Sequence, residues 1–357
     1  PLLFVYDEKV LVTGISPNHG SLNGGTSVNL TVSGIGYNED SRLLCIFGSI
    51  GEVAGQWLNE ETISCLTPAS LDEITVSVGI KIGGEVGAES IVAFTFHQNP
   101  AAEYLFPQSL PALDNSSTSI EVYGDHFYKT ESMTCAFDIT LPSEGLSSEY
   151  QHTIYRTPAI FINNTFILCP DPPSLQFFFS STDQDWAQNS TLVEGSSIEL
   201  SLESGTDRHF LGTIPYHPVV KTTSIHPFTG PRKGGTEVMV EGINFVDTAH
   251  LTCNFGSVRG PSAQYLSRTK VLCVSPHYQD GFGRAFVPIQ VAINGVDFSA
   301  ASNNGIFEFH EPLVIKDMTP LVGLPSGNTI VNITLDDDIM ELNAVRSMEN
   351  TAAVSEI

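Results

Sequence analysis

Basic residues are scarce in this sequence. It has 15 Lys and Arg against 40 Asp and Glu, which gives a formal net charge of −25 at pH 7. A chain of that sign repels a phosphate backbone and offers no basic stripe that would release counterions from DNA or RNA. We therefore expect no nucleic-acid partner.

Long apolar runs are also missing. No stretch approaches the roughly 18 consecutive apolar residues of a membrane-spanning helix, so we expect no membrane span in this segment. The first residues, from Pro1 onward, lack the basic and apolar regions of a signal peptide. Any leader or anchor would lie outside this sequence.

The motifs of common enzyme classes are absent as well. There is no Gly-x-Ser-x-Gly elbow, no His-Glu-x-x-His pair and no glycine-rich phosphate loop, so we expect no enzyme, no catalytic residue and no cofactor. Structural calcium is an alternative for three acidic clusters, because calcium takes carboxylate and carbonyl oxygens, although solvated loops would look the same. The clusters are Glu39-Asp40, Asp183 to Asp185, and Asp336 to Asp338.

The chain does contain many turn residues and short apolar runs. Among 357 residues there are 30 Gly and 21 Pro, and 41% are hydrophobic while 15% are charged. This profile is typical of many short strands separated by turns. The length suits about three domains of roughly 100 residues each. We predict an all-β chain.

One long motif occurs twice. Each copy opens on Ile-x-Pro, continues through Gly-Gly-Thr, Cys-x-Phe-Gly-Ser and Cys-x-x-Pro, and closes on Phe-x-Phe-His after an alternating apolar strand. The glycine pair favours a tight turn with positive φ, and the proline suits a strand edge. The first copy has these residues at Ile15, Pro17, Gly24, Gly25, Thr26, Cys45, Phe47, Cys65, Pro68, Val76, Phe94, Phe96 and His97, and the second at Ile225, Pro227, Gly234, Gly235, Thr236, Cys253, Phe255, Cys273, Pro276, Val287, Phe307, Phe309 and His310.

Weaker copies flank these two. A divergent copy between them lacks the glycine pair and carries an insertion at about 139–158, while Met318-Thr319-Pro320 opens a fourth copy. Phe4-Val5-Tyr6 matches the closing strand of a preceding copy, so we expect an internal piece of a longer array. The predicted map is a last strand at 1–8, repeats at 9–98, 99–217 and 218–311, and an incomplete repeat with a tail at 312–357.

The six cysteines fall two per copy. Six cysteines allow 15 pairings, and the repeat symmetry selects Cys45 with Cys65, Cys135 with Cys169, and Cys253 with Cys273. Disulfides require an oxidising compartment. Free thiols in a reducing compartment are the alternative, and zinc is disfavoured because no two cysteines have the close spacing of a metal knuckle.

Five N-glycosylation sequons agree with a secreted chain. The acceptors are Asn29, Asn115, Asn163, Asn189 and Asn332. Asn29 and Asn332 lie on predicted strands, where a sugar needs an outward-facing side chain. The closing-strand histidines His97, His217 and His310 lie one per copy, so we expect each to bond into its linker rather than to form a shared site.

The ordered motif resembles the IPT/TIG domain, including Gly-x-x-Tyr/Phe at Gly34 to Tyr37 and Gly242 to Phe245. That family of immunoglobulin-like sandwiches occurs in plexins, the hepatocyte growth factor receptor, fibrocystin-type surface proteins and Rel-type transcription factors. The resemblance is closest over 9–98 and 218–311, weaker over 99–217 and partial over 312–357. It implies tandem E-set sandwiches in an elongated array, without catalytic residues. The paired cysteines resemble the extracellular branch, whereas the net charge contradicts the DNA-binding branch.

Two functions follow from this resemblance. The first is a non-enzymatic structural or adhesive segment at the cell surface, a semi-rigid rod that belongs to a filament or sheath. The alternative is an ectodomain that recognises a ligand or carbohydrate, in a receptor or a secreted multidomain protein. The expected partners are other proteins or glycans, or further copies of the chain if residues 1–8 add a strand to a neighbour's incomplete repeat.

Overall fold

The computed structural model describes residues 10–34, 42–86, 91–112, 118–130, 132–141, 153–175, 193, 195–279, 283–311 and 315–335. The regular elements within those ranges are β-strands, so the predicted all-β class is confirmed. The chain forms two compact units, Pro1–Pro218 and Val219–Ile357.

The first unit holds two sandwiches. Strands of the first sandwich are β1 Leu11–Ser16, β2 His19–Ser21, β3 Ser27–Ser33, β4 Leu43–Phe47, β5 Gly51–Asn59, β6 Thr62–Leu66, β7 Ile74–Ile82, β8 Glu85–Val86 and β9 Ala93–His97. Strands of the second are β10 Ala101–Phe106, β11 Leu110–Pro111, β12 Ile120–Asp125, β13 Thr134–Thr140, β14 Thr153–Pro158, β15 Ile160–Asn163, β16 Phe166–Cys169, β17 Ser197–Ser204 and β18 Asp207–His217.

The second unit holds the third sandwich and one further strand pair. The third sandwich contains β19 Lys221–His226, β20 Thr229–Pro231, β21 Glu237–Ile243, β22 Thr252–Phe255, β23 Val258–Arg259, β24 Ala263–Ser267, β25 Lys270–Val274, β26 Ala285–Ala292 and β27 Ile306–His310. The pair is β28 Ile315–Thr319 with β29 Asn332–Leu335.

Each sandwich has the same two layers. In the third they run β19-β21-β25-β24 and β20-β27-β26-β22-β23, and in the second β10-β12-β16-β15 and β11-β18-β17-β13-β14. In the first sandwich the layers join, because the start of β5 pairs with β4 and its remainder pairs with β6. Period-two patterning explains the layers: along β3, Val28, Leu30 and Val32 are buried while Asn29 and Thr31 face solvent.

The opening strands follow one plan in all four copies. β1, β10, β19 and β28 each pair antiparallel with the next long strand, and each pairing has a one-residue irregularity. A proline follows each opening strand, and the peptide bond before it is cis. After Pro17 and Pro227 the chain crosses to the other layer, where β2 and β20 pair in parallel with the closing strands. Proline fits this crossing because it has no N–H to contribute to either ladder.

Phenylalanines and disulfides hold the layers together. Phe47, Phe94 and Phe96 are fully buried, with ring centroids 4.9 to 6.3 Å apart, and Phe255, Phe307 and Phe309 repeat the cluster. Cysteines are bonded as Cys45–Cys65, Cys135–Cys169 and Cys253–Cys273. Each bond joins one layer to the other.

The glycine pair adopts the positive φ that the motif predicts. Gly24 and Gly25 have φ of 73° and 82°, and Gly234 and Gly235 have φ of 80° and 85°. A Cβ on Gly24 would lie 2.6 Å from the carbonyl carbon of Pro68. The Gly-Gly and Cys-x-x-Pro parts of the motif are therefore in contact.

Several predicted features fall outside the described residues. These are the strand at 1–8, the tail beyond residue 335, the three acidic clusters, Asn115 and Asn189. The predicted insertion begins and ends in regular pairing, because β13 and β14 form an antiparallel ladder from Thr134↔Pro158 to Ile139↔Thr153. Its middle, 142–152, is also outside the described part.

Candidate functional site at the junction of two sandwiches

Polar and aromatic side chains join the first sandwich to the second within the first unit. One side is β2, the end of β9 and the glycine turn of the first sandwich. The other side is the loop after β12 and the turn between β17 and β18 of the second. The contacts between these segments fix how the two sandwiches meet.

An aromatic pair forms one half of the junction. The ring of Tyr128 stacks on His97, with centroids 4.3 Å apart and planes 14° apart. Burial lowers the pKa of His97 below its ordinary 6.5, and nearby Glu73 only partly offsets this. Burial, aided by the charge of Asp207, raises the pKa of Tyr128 to about 12. Both rings are therefore neutral at pH 7, which suits a stacked, half-buried contact.

His19 lies beside this pair. Its Nδ1 is 2.7 Å from Asn18 Oδ1, and its Nε2 is 3.1 Å from Ser204 Oγ of the second sandwich. The His19 ring also meets Tyr128 edge-on at 5.4 Å. Burial lowers the pKa of His19, the proximity of His97 lowers it further, and Asp207 acts in the opposite direction.

Asp207 anchors the other half of the junction. Its Oδ2 accepts a 2.7 Å hydrogen bond from Thr26 Oγ1 and a 3.4 Å bond from the Ser21 backbone N–H. The neighbouring Thr206 hydroxyl accepts a bond from Ser27 N–H at 3.2 Å. These bonds satisfy backbone or hydroxyl groups on both sides of the glycine pair, Ser21 before it and Thr26 and Ser27 after it.

A cleft of about 500 Å³ runs along the junction. Its walls are mostly polar and include one lysine; they are Ile15, Ser16, Pro17, Asn18, His19, Thr95, His97, Lys129, Thr130, Ser132 and Gly205. No group of three or more His, Cys, Asp or Glu in the described ranges could hold a metal ion. The junction offers hydrogen-bonding groups and two titratable histidines.

The other closing-strand histidines differ from His97. His217 Nδ1 lies 3.1 Å from the Pro218 carbonyl oxygen, and His310 Nδ1 lies 2.8 Å from that of Glu311, so the prediction of bonds into the linker is confirmed for both. The prediction is wrong for His97, whose ring contacts the following sandwich instead.

Three predicted sugar acceptors are described, and all are exposed. Asn29 lies on β3, Asn163 ends β15 and Asn332 begins β29. Asn29 and Asn332 hold equivalent places, since each pairs with the residue before the opening proline, Ser16 or Thr319.

Sequence reasoning missed His19, Tyr128 and Asp207. One signal was available: where the first copy has Asn18-His19, the second has Phe228-Thr229, a departure inside a nearly constant motif. Tyr128 and Asp207 belong to the divergent copy, where no close repeat marks them as unusual.

Comparison with known proteins gives a family model and several relatives. The model of the IPT/TIG domain matches residues 11–96 and 220–309. Plexin-A3 of Mus musculus is 26% identical over 294 residues, which are 80% of this chain and 14% of the plexin. Plexin-A4 of Homo sapiens is 32% identical over 119 residues, or 32% of this chain and 6% of the plexin. The chain therefore spans a small part of these relatives.

Among solved structures, the plexin A4 full extracellular region, domains 1 to 10, aligns with 91% of this chain and 43% of its own length. The sequence identity is 12% and the TM-score is 0.28. In the described part of the chain, no helix has the length and apolar character needed to cross a membrane.

Proposed function

This chain carries two domains of the IPT/TIG family, and we propose that it is a semi-rigid spacer in an extracellular or cell-surface protein. It is a non-enzymatic, immunoglobulin-like segment. The observation that carries the proposal is the junction described above. A linker without such contacts would let the sandwiches move independently, whereas a stacked ring pair and a carboxylate bond hold them in one orientation.

Disulfides and sequons support the extracellular compartment. All six cysteines are bonded, one pair in each of the three sandwiches, and disulfides persist in oxidising compartments. Intact mass of the native protein, before and after enzymatic glycan release and with thiol alkylation, tests this. Sugar loss without alkylated cysteine supports it, and six alkylated thiols without sugar would refute it.

A distance measurement tests the spacer. Spin labels at Gln56→Cys and Glu199→Cys, both exposed and on different sandwiches of the first unit, should give one narrow distance distribution. Adding Tyr128→Ala should broaden it, because the ring stacked on His97 is lost. A broad distribution in the otherwise native chain would show flexible linkage and reject the spacer.

Ligand recognition is the second candidate. The polar cleft beside His19 and Lys129 favours it, since a pocket of hydroxyl, amide and imidazole groups suits a hydrogen-bonding ligand such as a glycan or a partner's polar loop. Binding to an immobilised glycan panel that is lost in Lys129→Ala and Ser132→Ala would support this role. Unchanged binding in both variants would place the ligand elsewhere.

A further inference from the structure

A row of aromatic rings lies on the outer face of the second sandwich. Tyr104 pairs with Tyr123 across β10 and β12, and Tyr123 pairs with Phe166 across β12 and β16. The rings of Tyr123 and Phe166 stack at 4.7 Å and 14°, and Tyr104 is 6.1 Å from Tyr123. Tyr123 and Tyr104 are 40% and 37% exposed. Aligned aromatic faces in contact with water are a typical place for an apolar partner to lie.

A sequon stands at one end of this row. Asn163 pairs directly with Phe166 through the turn at Asn164 and Thr165, so the two side chains share a face. Asn163 Oδ1 accepts bonds from the Thr165 backbone N–H and hydroxyl, both at 2.9 Å. The carboxamide is thereby oriented, and Asn163 remains exposed.

We propose that the first two sugars of an N-linked glycan on Asn163 lie across the rings of Phe166 and Tyr123. Neighbouring strands are about 4.8 Å apart, so two pyranose rings leading away from β15 fit over β16 and β12. The C–H face of N-acetylglucosamine packs against an aromatic face, which removes apolar surface of both from water. Tyr123 Oη donates a 2.8 Å bond to Glu121 Oε2, which holds that ring in place and leaves a carboxylate beside the sugar hydroxyls.

The chain supplies a matched control. Asn29 is also an exposed sequon asparagine on a strand, but its cross-strand neighbours are Ser16 and Ser64. Neither of these neighbours offers a glycan an aromatic ring to cover. The proposal does not depend on the spacer function, because it concerns the outer face of one sandwich.

The test uses the full chain secreted from mammalian cells with isotope-labelled glycans, trimmed to the first two sugars. Ring-current shifts move the protons of the sugars on Asn163 upfield, and those on Asn29 keep their free positions. Phe166→Thr and Tyr123→Thr remove the shift, while mass spectrometry shows that both asparagines still carry their glycans. An unoccupied Asn163, or equal shifts at both sites, would overturn the proposal.

Hydrogen exchange gives a second readout that works on protein already folded. Removing the glycan enzymatically should speed exchange in the β15–β16 hairpin about two- to fivefold, as expected for loss of one cross-strand contact. In Phe166→Thr the same treatment should have no effect. Equal acceleration with and without Phe166 would show that the sugar acts without the ring.

Discussion

Replacing Asp207 by alanine should loosen the junction between the first and second sandwiches. The variant removes the acceptor of the 2.7 Å bond from Thr26 Oγ1 and of the weaker bond from Ser21 N–H. A hydrogen bond to a charged group contributes roughly 1.5–3 kcal/mol, and Asp207 is only half-buried, so we expect a local loss of about 2 kcal/mol. That corresponds to about thirtyfold faster opening.

Amide hydrogen exchange of peptides covering residues 19–27 measures this opening directly. Asp207→Asn, which keeps an acceptor oxygen, should show a smaller acceleration than Asp207→Ala. The double variant Thr26→Val with Asp207→Ala should lower the free energy of opening by less than the sum of the two single variants, because both single changes remove the same bond. The matched control is Thr236→Val, at the equivalent place in the third sandwich, where the described residues provide no carboxylate partner. Equal effects of Thr26→Val and Thr236→Val would refute the reasoning.

Three further changes have expected outcomes. Acidification from pH 7.5 to 5.5 should destabilise the junction, because the pKa values of His19 and His97 are lowered by burial: the unfolded state binds more protons as pH falls through about 6.5. The melting temperature should depend less on pH in the double variant His19→Gln with His97→Gln, and a variant of the exposed His277 should keep the full pH dependence. Replacing Cys253 and Cys273 together by serine should cost about 2–4 kcal/mol of unfolding free energy in a denaturant titration under non-reducing conditions; no change would mean that the core alone holds the layers. Gly24→Ala should lower the melting temperature more than Gly25→Ala, because only Gly24 faces the Pro68 backbone within 2.6 Å; the reverse order would contradict that contact.

Most of the fold could be predicted because its determinants repeat. Phe47 and Phe255 fill the same buried place, and a close-packed core tolerates little change in volume, so the motif stays recognisable. Strand ends are harder to predict: Ile74 continues the alternation of Val76 and Val78 along β7, yet it is 39% exposed while those two side chains are buried. A strand end lies beyond the facing layer, so period two alone does not report its burial.

The junction could not be predicted, because its side chains contact a neighbouring sandwich and do not belong to the repeating core of their own sandwich. Asn18 and Phe228 hold equivalent places before the strand that crosses to the second layer, since each carbonyl accepts the N–H of Thr95 or Glu308 in the closing strand. Their side chains have different surroundings. Asn18 bonds to His19 and lines the cleft, whereas Phe228 is 63% exposed. The backbone bond is the same in both copies and does not involve the side chain, so the residue type can differ. The contact between the first two sandwiches therefore includes a place where the aligned copies differ, Asn18-His19 against Phe228-Thr229, although both copies share the backbone pairing there.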